Sequence, residues 1–263
     1  MREIKIFTYL TDISKIEYLK QSATNHPIDI HYIIQDQSEY VGYTNKIFRM
    51  RDTIRDVDPN VIVCFIDAYD VLINGGVDEL LRKFLEYDAD IVLGAELNSY
   101  PEGYDDAYPP TNSITNYNYI NSGGYIGYQK DIMTLFNWKS DDEIIEICKH
   151  GGDQHYFIRY YLENYYFKNI ILDSQQRIFQ NMYMTDWTEF HFINGRLYNS
   201  MLREMCCFIH FNGNSWKTND NQNIMPVFLE KMELSKHITG HIDALHGYIR
   251  NTWPNPIIRK SLQ

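Results

Sequence analysis

Six consecutive apolar residues, Val61-Ile62-Val63-Cys64-Phe65-Ile66, run directly into Asp67-Ala68-Tyr69-Asp70, and no other stretch constrains the chain as strongly. A strand without polar alternation has no face to offer water, so it belongs in the middle of a sheet covered on both sides. The remaining pattern fits that placement, because short apolar runs alternate with longer amphipathic stretches, the mark of strands joined by crossover helices. Strands are expected at 4–10, 31–34, 61–66, 91–95, 170–172 and 206–210, and helices at 14–23, 46–55, 77–87, 130–136, 142–149 and 154–164. Residues 98–118, rich in Tyr, Pro, Asn and Asp, form a long aperiodic loop, and such loops in a domain are usually functional or disordered. Tyr119-Ile120 and Tyr125-Ile126-Gly127-Tyr128 flank Asn121-Ser122-Gly123-Gly124, which reads as strand, turn, strand.

A chain of 263 residues allows one large α/β domain or at most two small ones. The reading is a single domain over 1–263, with its core at about 4–217 and a loop and helix extension over 218–263 that stops at Pro254-Asn255-Pro256. With 24 Lys plus Arg against 35 Asp plus Glu, the net charge of -11 excludes nonspecific nucleic-acid binding, which needs a basic face. No run approaches the roughly 18–20 apolar residues of a membrane span. Met1 to Phe7 lacks a signal-peptide core, so the chain as written reads as cytoplasmic, a viral or microbial stand-alone protein in a host cell. Cys64, Cys148, Cys206 and Cys207 show no C-x-x-C spacing and read as buried small hydrophobes in a reducing compartment. The 22 Tyr, 13 Phe and 4 Trp exceed what one core needs. Some are free to serve as platforms for sugars or bases or as contacts between copies, and a homo-oligomer stays open.

Four constellations could carry chemistry. Asp67 and Asp70 sit three residues apart at the C-terminal edge of the buried strand, where open α/β sheets bind ligands. The pair suits a hard divalent cation that keeps positions for phosphate oxygens, and it suits turn capping equally well. His210, in Phe208-Ile209-His210-Phe211-Asn212-Gly213, ends a strand; it could complete an Asp/Asp/His set for Mn²⁺, although a histidine in such a place is more often structural. Asn121-Ser122-Gly123-Gly124 offers neutral donors beside two glycines, or simply a tight turn. Gly151-Gly152-Asp153-Gln154 opens a helix, where Asp153 either caps it or supports a sugar. His241-Ile242-Asp243 has the letters of an iron-oxygenase His-x-Asp pair, but only 20 residues follow it, too few for that fold. His237 and His241, spaced i, i+4, read as solvated surface groups.

Taken in order, Val41-Gly42 with Lys46, Phe65-Ile66-Asp67-Ala68-Tyr69-Asp70-Val71, Gly94-Ala95-Glu96, Tyr108-Pro109, Tyr119 to Gly127, Asp153-Gln154, Leu172-Asp173, Arg177 to Asn181 and His210 to Gly213 resemble the glycosyltransferase domain of procollagen lysyl hydroxylases over residues 4–217. The resemblance implies an α/β GT-A fold, Rossmann-like, with a mixed, mostly parallel central sheet. It also implies Mn²⁺-dependent transfer of glucose from UDP-glucose to galactosyl-hydroxylysine of collagen-like chains, with retention. Carried over by position, Asp67, Asp70 and His210 would ligate Mn²⁺, Tyr69 would stack on uracil, Thr8 and Thr11 would line the nucleotide pocket, and Lys46 would face phosphate. Gly213 and Lys217 would join the cofactor side, and Asp153, Asn121 and Gln154 would approach the donor sugar. The Gly-Gly-Asp-Gln and His-Phe-x-Gly runs are also similar to glycogenin-like transferases. The sequence departs from the family at Tyr100, where the family has Trp, at 148–152, where it has a run of aspartates, and at Trp216, where its Lys falls one place early. A galactosyltransferase, a glycogenin-like enzyme, or a noncatalytic module binding UDP-sugar or collagen are the alternatives.

Overall fold

In the computed structural model the described residues are 2–40, 42–110, 115–217 and 222–236, with the backbone of 243–244. The chain begins with β1 (Ile4–Leu10), α1 (Glu17–Asn25), β2 (Ile30–Ile34) and α2 (Thr44–Ile54). The run that opened the argument becomes β3 (Ile62–Ile66), every residue of it buried. Then follow β4 (Val71–Ile73), α3 (Val77–Glu86), β5 (Ile91–Glu96), β6 (Tyr119–Tyr128), α4 (Gln129–Phe136), α5 (Asp141–Cys148), α6 (Gly152–Asn164) and β7 (Ile170–Leu172). The last described elements are β8 (Phe179–Asn181), β9 (Phe190–Ile193), β10 (Arg196–Asn199), β11 (Phe208–His210), α7 (Met225–Ser235) and β12 (Asp243–Ala244).

Six strands make the main sheet in the order β2-β1-β3-β6-β5-β7. The pairs β1·β2, β1·β3 and β5·β7 are parallel, and β6 lies antiparallel between β3 and β5. Alternation along β3 divides the core: Val63 and Phe65 pack with Ile47, Met50 and Ile54 of α2 and with α4 and α6, while Ile62, Cys64 and Ile66 pack with Leu19 of α1 and Leu80 of α3. The spacing 47, 50, 54 is one helical face, which is why α2 covers the sheet as a helix. A small sheet, β4-β11-β8, stands beside the C-terminal edge of β3, and β9 and β10 pack with α7 in a third apolar cluster.

One expectation fails. Residues 119–128 are a single ten-residue strand rather than strand, turn, strand. Asn121 to Gly124 stay within the strand, although the pairing with β5 shifts there from Leu93 facing Tyr125 to Gly94 facing Asn121, and the glycines answer to crowding: a Cβ on Gly124 would lie 2.5 Å from the Phe179 ring. The short strands β4, β8, β9 and β10 were not anticipated, and the first helix starts as a 3-10 turn at Ile13–Lys15 before α1. All four cysteines are buried and free. Among the described residues no helix is long and apolar enough to cross a membrane. Val41, His237, His241 and Pro254 to Pro256 lie outside the described residues, as does the side chain of Asp243.

Candidate active site

The site is built where β3 ends. Asp67 donates its backbone N–H to Gly123 O on β6 at 2.8 Å, so the chain turns away from the sheet immediately, passes buried Ala68 and exposed Tyr69, and enters β4 after Asp70. Register does the rest: β4 pairs antiparallel with β11 so that Val71 faces His210, and Phe211 N–H donates to Asp70 O at 2.8 Å. Residues 140 apart in sequence thereby become neighbours. His210 Nε2 lies 3.5 Å from Asp70 Oδ1 and 3.7 Å from Asp67 Oδ2, and one ligand atom from each of the three residues falls within 4.8 Å of the others.

The donor set is two carboxylate oxygens and an imidazole nitrogen, which suits Mn²⁺ and related divalent ions. Two further observations test the fit. Asn181 Nδ2 donates to Ala95 O at 2.9 Å, which turns its Oδ1 toward His210 Nδ1 at 2.8 Å. Nδ1 therefore carries the hydrogen and leaves the Nε2 lone pair for a ligand, the outer-shell arrangement of metal-binding histidines. Gly123 supplies the space: a Cβ there would sit 2.2 Å from His210 Cε1 and 2.6 Å from Asp67 Oδ2. The residues fit a divalent ion.

Electrostatics tighten the picture. Burial opposes the charged form of His210, yet Asp70 and Asp67 outweigh it and hold the imidazole above its ordinary pKa. Lys46 reaches in from α2 and places Nζ 3.0 Å from Asp67 Oδ1 and 2.7 Å from Asp153 Oδ2. Burial alone would raise Asp67, but Lys46 and His210 bring it below the usual carboxylate value; burial raises Asp153, with Lys46 opposing. Asp67, Lys46 and Asp153 thus form a chain of alternating charge leading away from the Asp/Asp/His group, partly exposed at Asp67 and buried at Asp153.

Of the residues singled out in the sequence, Lys46, Asp67, Asp70, Asn121, Asp153, Gln154, His210 and Gly213 line one cavity of about 590 Å³. Tyr69 and Thr11 meet nearby, the tyrosine hydroxyl oxygen accepting from the backbone N–H groups of Thr11 and Asp12 at 2.8 and 2.9 Å. Thr8 is not on the cavity wall; it is fully buried within β1, its hydroxyl without a hydrogen-bond partner among the described residues. Lys217 is also absent from the cavity wall, its Nζ 4.5 Å from the Trp216 ring centroid.

The sequence reading assigned no role to Glu96, yet it sits at the centre of the polar wall. Its carboxylate is buried and accepts from Asn121 Nδ2 at 3.2 Å, Gln154 Nε2 at 2.9 Å and Asn212 Nδ2 at 2.8 Å, and burial pushes its pKa up to about 7. A glutamate closing an otherwise apolar strand, as Asp67 follows β3, was the available signal.

Residues 28–234 match the family described as PLOD GT domain. Procollagen-lysine,2-oxoglutarate 5-dioxygenase 1 of Gallus gallus is 35% identical over 130 residues, 47% of this chain and 16% of its own length. The multifunctional procollagen lysine hydroxylase and glycosyltransferase LH3 of Homo sapiens is 33% identical over 127 residues, again 47% of this chain and 16% of the relative. The uncharacterized protein R699 of Acanthamoeba polyphaga mimivirus is 28% identical over 180 residues, 65% of this chain and 36% of that protein. The chain thus spans only a minor part of the length of these relatives. A solved structure of an active-site mutant of LgtC covers 94% of this chain and 99% of its own with a TM-score of 0.52 at 16% identity. That likeness shows the fold, which is the GT-A glycosyltransferase fold.

Proposed function

Because the chain belongs to the PLOD GT domain family, we propose that this glycosyltransferase moves glucose from UDP-glucose to galactosyl-hydroxylysine of collagen or a collagen-like protein, with retention at the anomeric carbon. The observation that carries the reading is the convergence of Asp67, Asp70 and His210 at the C-terminal edge of β3, on the wall of the cavity that also contains Asp153 and Asn121. The acceptor rests on the relatives named for procollagen lysine.

Asp67, Asp70 and His210 would hold Mn²⁺, which when bound supplies positive charge to the diphosphate as the sugar–phosphate bond breaks. Tyr69, fixed through its hydroxyl to the Thr11 and Asp12 backbone, presents its ring to uracil. Lys46 pairs with Asp67 and Asp153, favours their charged forms and holds them in place. Asp153 and Asn121 face the donor sugar, where a carboxylate stabilises positive charge growing on the anomeric carbon, and Gln154 bonds Glu96 and the Tyr100 carbonyl at the cavity lip. The exposed Tyr100 ring lines the same cavity and would meet the acceptor.

Thermal unfolding with UDP, with Mn²⁺ and with both tests the reading. Ligand at a hundred times its Kd stabilises by about 2.7 kcal/mol, a shift of several degrees. The expected result is a large shift for UDP with Mn²⁺ and a small one for UDP alone. Equal shifts with and without Mn²⁺, or no response to UDP, would count against it.

A further inference from the structure

The polar wall around Glu96 obeys a strict hydrogen-bond accounting. Asn121 Oδ1 accepts from Gly123 N–H at 3.0 Å, Gln154 Oε1 from Ser122 N–H at 3.3 Å, and Asn212 Oδ1 from both Met182 and Tyr183 N–H at 3.0 Å. Every amide oxygen is thus committed to a backbone donor, so each amide can turn only N–H groups toward Glu96. A group that accepts and never donates is what the position requires, and an ionised carboxylate is that group. Gln154 spends its second N–H on the Tyr100 carbonyl at 2.8 Å. Asn121 and Asn212 each donate once to Glu96 and line the cavity, which among the described residues leaves one N–H on each for a bound molecule.

The three amides come from three separate segments, and each lies beside a residue with a part in the proposed reaction. Asn121 is on β6 two residues before Gly123, Gln154 follows Asp153 in the first turn of α6, and Asn212 is two residues after His210. We propose that Glu96 is a positioning residue for the donor sugar: its carboxylate orients Asn121 and Asn212 so that their second N–H groups meet the hydroxyls of the transferred hexose. This rests on the UDP-sugar reading above and deepens it. The ligand chemistry follows from the donors. Two neutral N–H groups beside a carboxylate suit a polyhydroxylated ring, and they give no advantage to the nucleotide half of the donor. Keeping a carboxylate buried here without a Lys or Arg partner among the described residues is unfavourable, as its raised pKa shows, and the amide geometry gives that burial a purpose.

The test compares UDP-glucose with UDP, both in the presence of Mn²⁺, by calorimetric titration and by initial rates. Glu96→Gln sets an amide donor against amide donors and forces at least one Asn to turn away. We expect UDP-glucose affinity to fall about tenfold or more while UDP affinity stays within about threefold of wild type, since one hydrogen bond is worth roughly a factor of ten. Glu96→Asp keeps an all-acceptor group one methylene shorter, and its UDP-glucose affinity is expected to lie between Glu96→Gln and wild type. Equal losses for both nucleotides, no loss for either, or a Glu96→Asp variant as impaired as Glu96→Gln would overturn the proposal. A wild type that binds UDP with Mn²⁺ while Glu96→Gln loses nothing overturns this inference alone; a wild type that binds no UDP overturns the proposed function and this inference with it.

Discussion

Asp67→Ala is expected to abolish Mn²⁺ binding and to lower the transfer rate by on the order of a thousandfold. Two unit charges about 4 Å apart interact by roughly 4 kcal/mol at an effective dielectric near 20, and each 1.4 kcal/mol is about tenfold in rate. The loss appears in turnover as long as the contact strengthens toward the transition state. His210→Ala should behave alike, because it removes the imidazole that stands within 3.7 Å of both carboxylates. Asn181→Ala keeps all three ligands, frees the His210 ring and removes one donor to Ala95 O, so a smaller loss, about 10–100-fold in metal affinity, is expected. The pH dependence has a definite sign. A proton on Nε2 excludes a metal from it, and the neighbouring aspartates raise the His210 pKa, so metal affinity should weaken on acidification from above the ordinary imidazole range. Titration of Mn²⁺ into each variant, with rates on UDP-glucose, reads all three. An Asp67→Ala protein that binds Mn²⁺ like wild type would sink the assignment.

Lys46→Met should cost the fold about 3–5 kcal/mol, the usual result of removing one partner from a buried ion pair. Lys46 is 12% exposed at its side chain and Asp153 5%, so water cannot take over the lost contact. Asp67 is freer at 30% and should suffer less. Linkage fixes the sign with pH. Without Lys46 both carboxyls gain folded-state pKa values above those of the unfolded chain, so the folded state binds protons preferentially. The variant should therefore recover stability as pH falls from 7 toward about 4, whereas in the wild type the contribution of Asp67, whose pKa is lowered, persists over that descent and is lost only as pH falls further, through its folded value. Urea unfolding of wild type and variant at pH 7 and pH 5 measures the cost and its recovery. A loss under about 1 kcal/mol, unchanged with pH, would show that the lysine is not the counter-charge described.

Much of this architecture was legible in the chain because burial leaves a strong imprint on residue type. Val61 to Ile66 could be little else than a central strand, and the carboxylates that follow it fell at the sheet edge where they were expected. The neighbourhood of Asp70 and His210 was readable only as an ordered resemblance, since it depends on the β4·β11 register and no local pattern encodes a pairing across 140 residues. Gly123 and Gly124 were misread as a turn because glycine serves both tight turns and close approach, and only the positions of His210 and Phe179 decide between them. Glu96, quoted in the resemblance, was given no role for a related reason. Its importance lies in three amides converging from β6, α6 and the segment after β11, none of which is its neighbour in sequence. Thr8 was placed by position alone, and it lies where β1 is buried on both faces, between Phe7 and Tyr9.

The most direct measurement is anomalous diffraction near the manganese absorption edge from crystals grown with UDP and Mn²⁺. The account predicts one strong peak within bonding distance of carboxylate oxygens of Asp67 and Asp70 and of His210 Nε2, touching the diphosphate. A peak elsewhere, or UDP bound with His210 turned away from the ion, would contradict it.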